Sequence, residues 1–144
     1  MAWDLFLPLD TDDEHRFQTL HIPLGNNPQE FENQVFALAK LLVDSLNDAK
    51  LLELAGPFTN SEGSLAKLKK YMTDQGVQDV DQQYLSLKKI QDLRSSGIAH
   101  RKGKKYHETI ARYGWQSSDA EKIFQELLMG VIGVLDALEA KFLT

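Results

Sequence analysis

The chain has 144 residues, no cysteine, and 21 acidic against 16 basic side chains, for a net charge of −5 at pH 7. A domain of this length buries about two-thirds of the surface its unfolded chain exposes, and the lack of cysteine excludes a disulfide framework, a thiolate nucleophile and a thiolate zinc site. The longest apolar run, Leu127 to Leu135, is far shorter than a membrane span.

Two apolar stretches, Trp3 to Leu9 and Phe17 to Leu24, flank the polar segment Asp10 to Arg16, and each holds a proline that argues against a central strand. They predict an irregular arm or short hairpin over residues 1–27. Met1 to Asp10 has no basic stretch and carries Asp4 and Asp10, so a secretory or organellar signal is not expected and a cytoplasmic protein is. Asp12, Asp13 and Glu14 lack a spaced second ligand set, so neither a metal site nor a cofactor is expected.

Asn27-Pro28-Gln29-Glu30 is a helix start: Asn27 caps, Pro28 suits the first helical position, and Glu30 can return a capping-box hydrogen bond. Phe31, Val35, Leu38, Leu42, Leu46 and Ala49 recur at helical spacing, predicting one helix of about 25 residues that Gly56-Pro57 stops. A shorter helix is predicted over Ser64 to Gln75, ended by Gly76. A third starts near Asp79 or Asp81 and runs through Tyr84, Leu87 and Ile90 to about Ser96, where Gly97 offers a left-handed turn.

The last helix starts at the capping box Ser118-Asp119-Ala120-Glu121 and reaches about Phe142. Its middle, Leu127 to Leu135, is apolar all round, as for a helix at the bundle centre or against a second subunit. Gly130 and Gly133 each cost about 1 kcal/mol relative to alanine there, which close approach of another backbone would offset. The expected fold class is all-α: a single domain in which residues 28–144 form a compact four- to five-helix bundle.

Charge is unevenly spread. Residues 88–112 hold eight basic side chains against Asp92 and Glu108, a local balance of +6 in an acidic chain. Arg94 follows Ile90 by four residues and Leu87 by seven, so the three share a helix face. The arginine therefore ends an apolar stripe, where its stem can cover apolar neighbours and its charge can sit at a rim, a cleft or an interface. Helix-terminal electrostatics also favour a cation at this position. An unbroken helix would turn His100 by roughly 240° from Arg94 and lift it about 9 Å, so the two converge only if Gly97 breaks the helix.

The segment Leu93-Arg94-Ser95-Ser96-Gly97-Ile98-Ala99-His100-Arg101, closing a third helix and followed by a basic loop and a long apolar helix, resembles the signature of the HEPN superfamily (higher eukaryotes and prokaryotes nucleotide-binding domains). The resemblance spans roughly residues 28 to 143. It implies a helical bundle, often dimeric, whose members include metal-independent endoribonucleases of toxin–antitoxin, phage-defence and RNA-processing systems. It further implies Arg94, His100 and Ser95 as catalytic residues, Ser95 standing where many active members have asparagine, aspartate or histidine. His100 would act as base or acid, Arg94 would stabilise phosphoryl charge, and two motifs would meet as a composite site in a homodimer. Arg101, Lys102, Lys104 and Lys105 would hold the RNA backbone, and Tyr106 would offer a stacking surface. A cognate antitoxin or partner domain would be a further partner.

Other features carry less. His15, His21 and His107 have no recognisable partners in the sequence, and Tyr113 and Trp115 read as packing under the loop. The rival reading is a non-catalytic HEPN-like module for dimerisation or for binding a nucleotide or partner protein.

Overall fold

The computed structural model describes residues 2–25, 27–59, 62–98 and 103–143. It is all-α, as expected, with seven α-helices among the described residues: α1 (Thr11–Gln18), α2 (Pro28–Ala39), α3 (Asp48–Ala55), α4 (Ser64–Gln75), α5 (Val80–Arg94), α6 (Lys104–Arg112) and α7 (Ala120–Phe142). No helix among the described residues is long and apolar enough to cross a membrane.

α5 is the central helix. It packs against α2, α4, α6 and α7, and Leu87, Ile90 and Leu93 on its inner stripe are fully buried. Val35 and Leu38 of α2, Leu68 and Met72 of α4, and Phe124, Leu127 and Val134 of α7 close around that stripe. Burying a leucine- or isoleucine-sized side chain stabilises a fold by about 1.5–3 kcal/mol, so these interdigitated stripes hold the bundle together.

The predicted N-terminal arm contains a helix. Asp10 accepts a hydrogen bond from the Asp13 amide at 2.9 Å, and Asp12, Asp13 and Glu14 fill the first turn of α1, where carboxylates complement the helix dipole. The acidic run is therefore a helix start.

The long helix predicted from Pro28 is divided. Asn27 caps α2 as expected, accepting from the amides of Gln29 and Glu30 at 3.0 and 3.2 Å. The Glu30 side chain, however, turns to His21 instead of closing a capping box. Beyond Ala39 the chain widens into a π-helical turn over Lys40–Asp44. It then breaks where the N-terminal segment docks: Phe6 and Leu46 form an antiparallel bridge, the Leu7 amide donates to the Ser45 carbonyl at 2.6 Å, and the Asn47 amide donates to Leu5 at 2.8 Å. Asn47 is shared between the two jobs, its amide side chain donating to the Asp4 carbonyl and accepting from the Lys50 amide to cap α3.

α4 has the predicted limits, with Gly76 left-handed at its end (φ 74°). α7 likewise runs to Phe142, although Asp119 makes no side-chain capping bond. α7 does not lie at the bundle centre. Phe124, Leu127, Val131, Val134 and Leu138 face inward, whereas Met129 is 67% and Ile132 51% exposed. Its glycines serve α5: a Cβ on Gly130 would lie 2.9 Å from Ser86 Cβ, so this site requires glycine for the two helices to approach, while one on Gly133 would make an ordinary 3.7 Å contact with Gln83.

Candidate functional site

α5 ends in the way its sequence suggests. The Ser95 and Ser96 amides donate to the Gln91 and Leu93 carbonyls at 3.0 Å each, and the Ser96 hydroxyl donates to Leu93 at 2.6 Å. Gly97 then adopts φ 74°, which costs little only without a Cβ. Ile98, 1% exposed, anchors the chain in the core just after the turn. The helix is thus broken between Arg94 and His100, as convergence of the two would need. His100 itself, with Ala99, Arg101 and Lys102, lies outside the described residues, and so do the site assignments made for them.

Arg94 does sit at the rim of the apolar stripe. Its side chain is 20% exposed, and its guanidinium donates to the Asp44 carboxylate at 2.5 Å, in the π-helical turn after α2. An opening of about 730 Å³ lies beside it, lined by Arg94, Ser95, Ser96 and Gly97 from the end of α5, by Gly103, Lys104 and Lys105 from the start of α6, and by Glu32 and Phe36 from α2. Glu32 is 6% exposed, so the cleft has one carboxylate deep in its wall and cations on its lip.

A second opening of similar size shares Ser95, Lys104 and Lys105 with the first and continues along Lys88, Asp92 and Arg112. Ser95 is exposed and belongs to both. Lys104 and Lys105 are exposed too; Lys104 reaches Glu108 only at 3.9 Å, and Lys105 has no ion pair among the described residues. These two ammonium groups form the ridge between the openings.

Tyr106 is corrected. It is 2% exposed, since Tyr106, Thr109 and Ile110 form the inner face of α6, and its ring has no free side for a base. Burial also raises its phenol above the ordinary value. The predicted basic loop is, over Lys104–Arg112, an amphipathic helix: Tyr106 and Ile110, four residues apart with Thr109 beside them, make the inner face, a signal that the surrounding charges obscured.

Four cations of the basic island, Lys88, Lys89, Arg94 and Arg112, are paired within the fold. Asp92 receives Lys88 at 3.0 Å, Arg112 at 3.3 Å and the Tyr113 hydroxyl at 2.6 Å. Burial, and then the Asp92 hydrogen bond, push the Tyr113 phenol up to about 12, so it stays a donor. Lys89 lies over the Tyr113 and Trp115 rings and meets Glu126 at 3.4 Å, and the Trp115 indole donates to the same carboxylate at 2.7 Å. Tyr113 and Trp115 are thus structural, tying α6 and its following turn to α5 and α7.

His21, without a visible partner in the sequence, has two. Its Nδ1 donates to the Thr19 carbonyl and its Nε2 to Glu30, both at 2.8 Å, and the Thr19 bond first and Glu30 second raise its pKa above 6.5. This pair fastens the arm to α2, away from the cleft. Two residues of the cleft region escaped sequence reasoning, Asp44 and Glu32. Glu32 lies within α2 and Asp44 in the π-helical turn that follows it, and only folding brings Asp44 to Arg94 and Glu32 to the cleft wall. Comparison with protein-family models, curated proteins and solved structures finds no match to this chain.

Proposed function

We propose that this protein is an endoribonuclease of HEPN type that binds the phosphodiester backbone of RNA in the cleft at the end of α5. The observation that supports this reading is the setting of Arg94: a guanidinium at the rim of an open cleft whose lip carries the exposed Lys104 and Lys105. His100 lies in sequence between Gly97 and Gly103, both of which line that cleft.

In this mechanism His100 removes the proton of an RNA 2′-hydroxyl, whose oxygen attacks the adjacent phosphorus. The bond to the 5′-oxygen breaks, that oxygen takes up a proton, and a cyclic phosphate is left. An imidazole with an ordinary pKa near 6.5 suits proton transfer in either direction. Arg94 meets the charge that gathers on the phosphoryl oxygens, a role worth several kcal/mol of barrier in general. Ser95, exposed on both openings, donates to a phosphate oxygen, and Lys104 and Lys105 hold the strand.

The engagement of Arg94 by Asp44 favours a second reading, a non-catalytic module in which the arginine fastens α5 to α2 and the cleft binds a nucleotide or partner. Mixed-sequence RNA incubated in chelator with the native protein, Arg94→Ala and His100→Ala separates them. Ribonuclease activity predicts cleavage by the native protein and losses of roughly 10²- to 10⁴-fold in each variant. RNA left intact by the native protein, or cut equally by all three, rejects the ribonuclease reading.

A further inference from the structure

α1 is held to the bundle without burying a side chain of its own. It packs on α2, yet none of its residues is buried, and a crevice of about 450 Å³ lies between the two helices, a volume suited to a small molecule. Asp12 and Arg16, one helical turn apart on α1, line one side of it; Asn33, Gln34 and the buried Ala37 of α2 line the other.

Gln34 is the informative side chain. It is 6% exposed, and its Oε1 accepts the His21 amide at 2.8 Å, which fixes the orientation of the carboxamide. Its Nε2 donates to no group among the described residues. No side-chain nitrogen or oxygen among the described residues is both fully buried and without a partner, so this amino group opens on the crevice. It is an unmet donor held in a buried frame. Asn33 adds a second: its Oδ1 accepts from Gln29 Nε2 at 3.0 Å, which leaves its own amino group for the crevice. Arg16 comes no closer to Asp13 than 3.6 Å, beyond hydrogen-bond length, so its guanidinium also has donors to spare. The Asp12 carboxylate has neither an ion pair nor a hydrogen bond among the described residues.

We infer that this crevice binds a free α-amino acid. Gln34, Asn33 and Arg16 donate to its α-carboxylate, and Asp12 accepts from its α-ammonium group. Asp12 and Arg16 stand four residues apart on α1, about 5–6 Å between Cβ atoms, which suits charges carried on adjoining atoms of one small molecule. The mixture of signs selects the ligand. An inorganic anion would sit against the Asp12 carboxylate and a simple amine would leave three donors unmet, whereas a zwitterion is matched at both ends. Because the groups come from both helices, the bound amino acid fastens α1 to α2, a link that an eight-residue helix with no buried side chain otherwise lacks. The crevice shares no lining residue with the cleft at Arg94, and the inference does not rest on ribonuclease activity.

Isothermal titration calorimetry of the full chain against each standard L-amino acid tests it. At least one should bind with a dissociation constant below about 1 mM, and its amide, which lacks the carboxylate, should bind roughly tenfold more weakly or worse. Gln34→Glu keeps an acceptor for the His21 amide but replaces the free donor with an oxygen, and should weaken binding at least about tenfold. Asp12→Asn, on the exposed surface of α1, should weaken the amino acid to a similar degree while leaving the affinity of its N-acetyl derivative unchanged, a discrimination that a merely structural role for Asp12 does not produce. No binding by any standard amino acid at about 10 mM overturns the inference. So does a bound amino acid whose affinity is the same in Asp12→Asn or in folded Gln34→Glu as in the native protein.

Discussion

The Arg94 guanidinium and the Asp44 carboxylate meet at 2.5 Å across 50 residues of sequence, joining the end of α5 to the π-helical turn that follows α2. The pair is partly shielded, with side chains 20% and 33% exposed. It holds the arginine at the cleft rim and at the same time balances part of the charge that an anionic ligand would meet.

Asp44→Asn should therefore separate two effects. Losing the charged partner lowers stability by about 1–2 kcal/mol, read from the urea midpoint at unchanged slope. The less neutralised guanidinium should bind RNA more tightly in a filter or anisotropy assay. Weaker RNA binding alongside the lower stability would mean that Asp44 positions Arg94 for the ligand more than it competes with it.

The two glycines of α7 should respond in opposite directions. Gly133→Ala meets only a 3.7 Å contact with Gln83 and should stabilise the protein by about 0.5–1 kcal/mol through helix propensity. Gly130→Ala sets a methyl 2.9 Å from Ser86 Cβ and should destabilise it, because α5 and α7 must move apart. Thermal unfolding of the two variants side by side decides.

Docking of the N-terminal arm should depend on pH. The folded His21 pKa is raised, through the Thr19 carbonyl first and the Glu30 carboxylate second. Its contribution to stability is then complete below the ordinary value of 6.5 and is lost as pH rises through the higher folded pKa. An NMR titration of the His21 ring should show a midpoint above 6.5, and Glu30→Gln should lower that midpoint without removing the whole shift. A midpoint in Glu30→Gln equal to the native one would make Thr19 the sole cause.

The ridge between the openings should act through phosphate. Lys104→Gln and Lys105→Gln should each weaken RNA binding about equally across sequences and lower the slope of log K against log salt by up to about 1. His107→Ala should leave that slope unchanged, because His107 lines neither opening. A slope unaltered in both lysine variants would place the RNA elsewhere.

Several elements were legible from local signals. Asn27-Pro28 at the start of α2, Gly76 at the end of α4 and Gly97 beyond α5 are chemical punctuation that works through the backbone of its own neighbours, and each functions in the fold as the sequence suggests. The place of Arg94 on the apolar stripe of α5 was legible for the same reason, since helical periodicity alone assigns a face. α1 and α6 were harder. Their few apolar side chains are surrounded by charges, and an eight- or nine-residue helix gains most of its stability from what it packs against.

By itself the sequence determined the fold class, the ends of α4, α5 and α7, the break after Arg94 and the uneven charge, because propensity, capping and periodicity act within about one helical turn. Only the tertiary structure decided that Phe6 docks at Leu46 and splits the long helix, that Asp44 meets Arg94, that Tyr106 is buried, and that Met129 and Ile132 face outward. Those outcomes depend on which surfaces compete for burial once the helices assemble, and no short window of sequence contains both competitors.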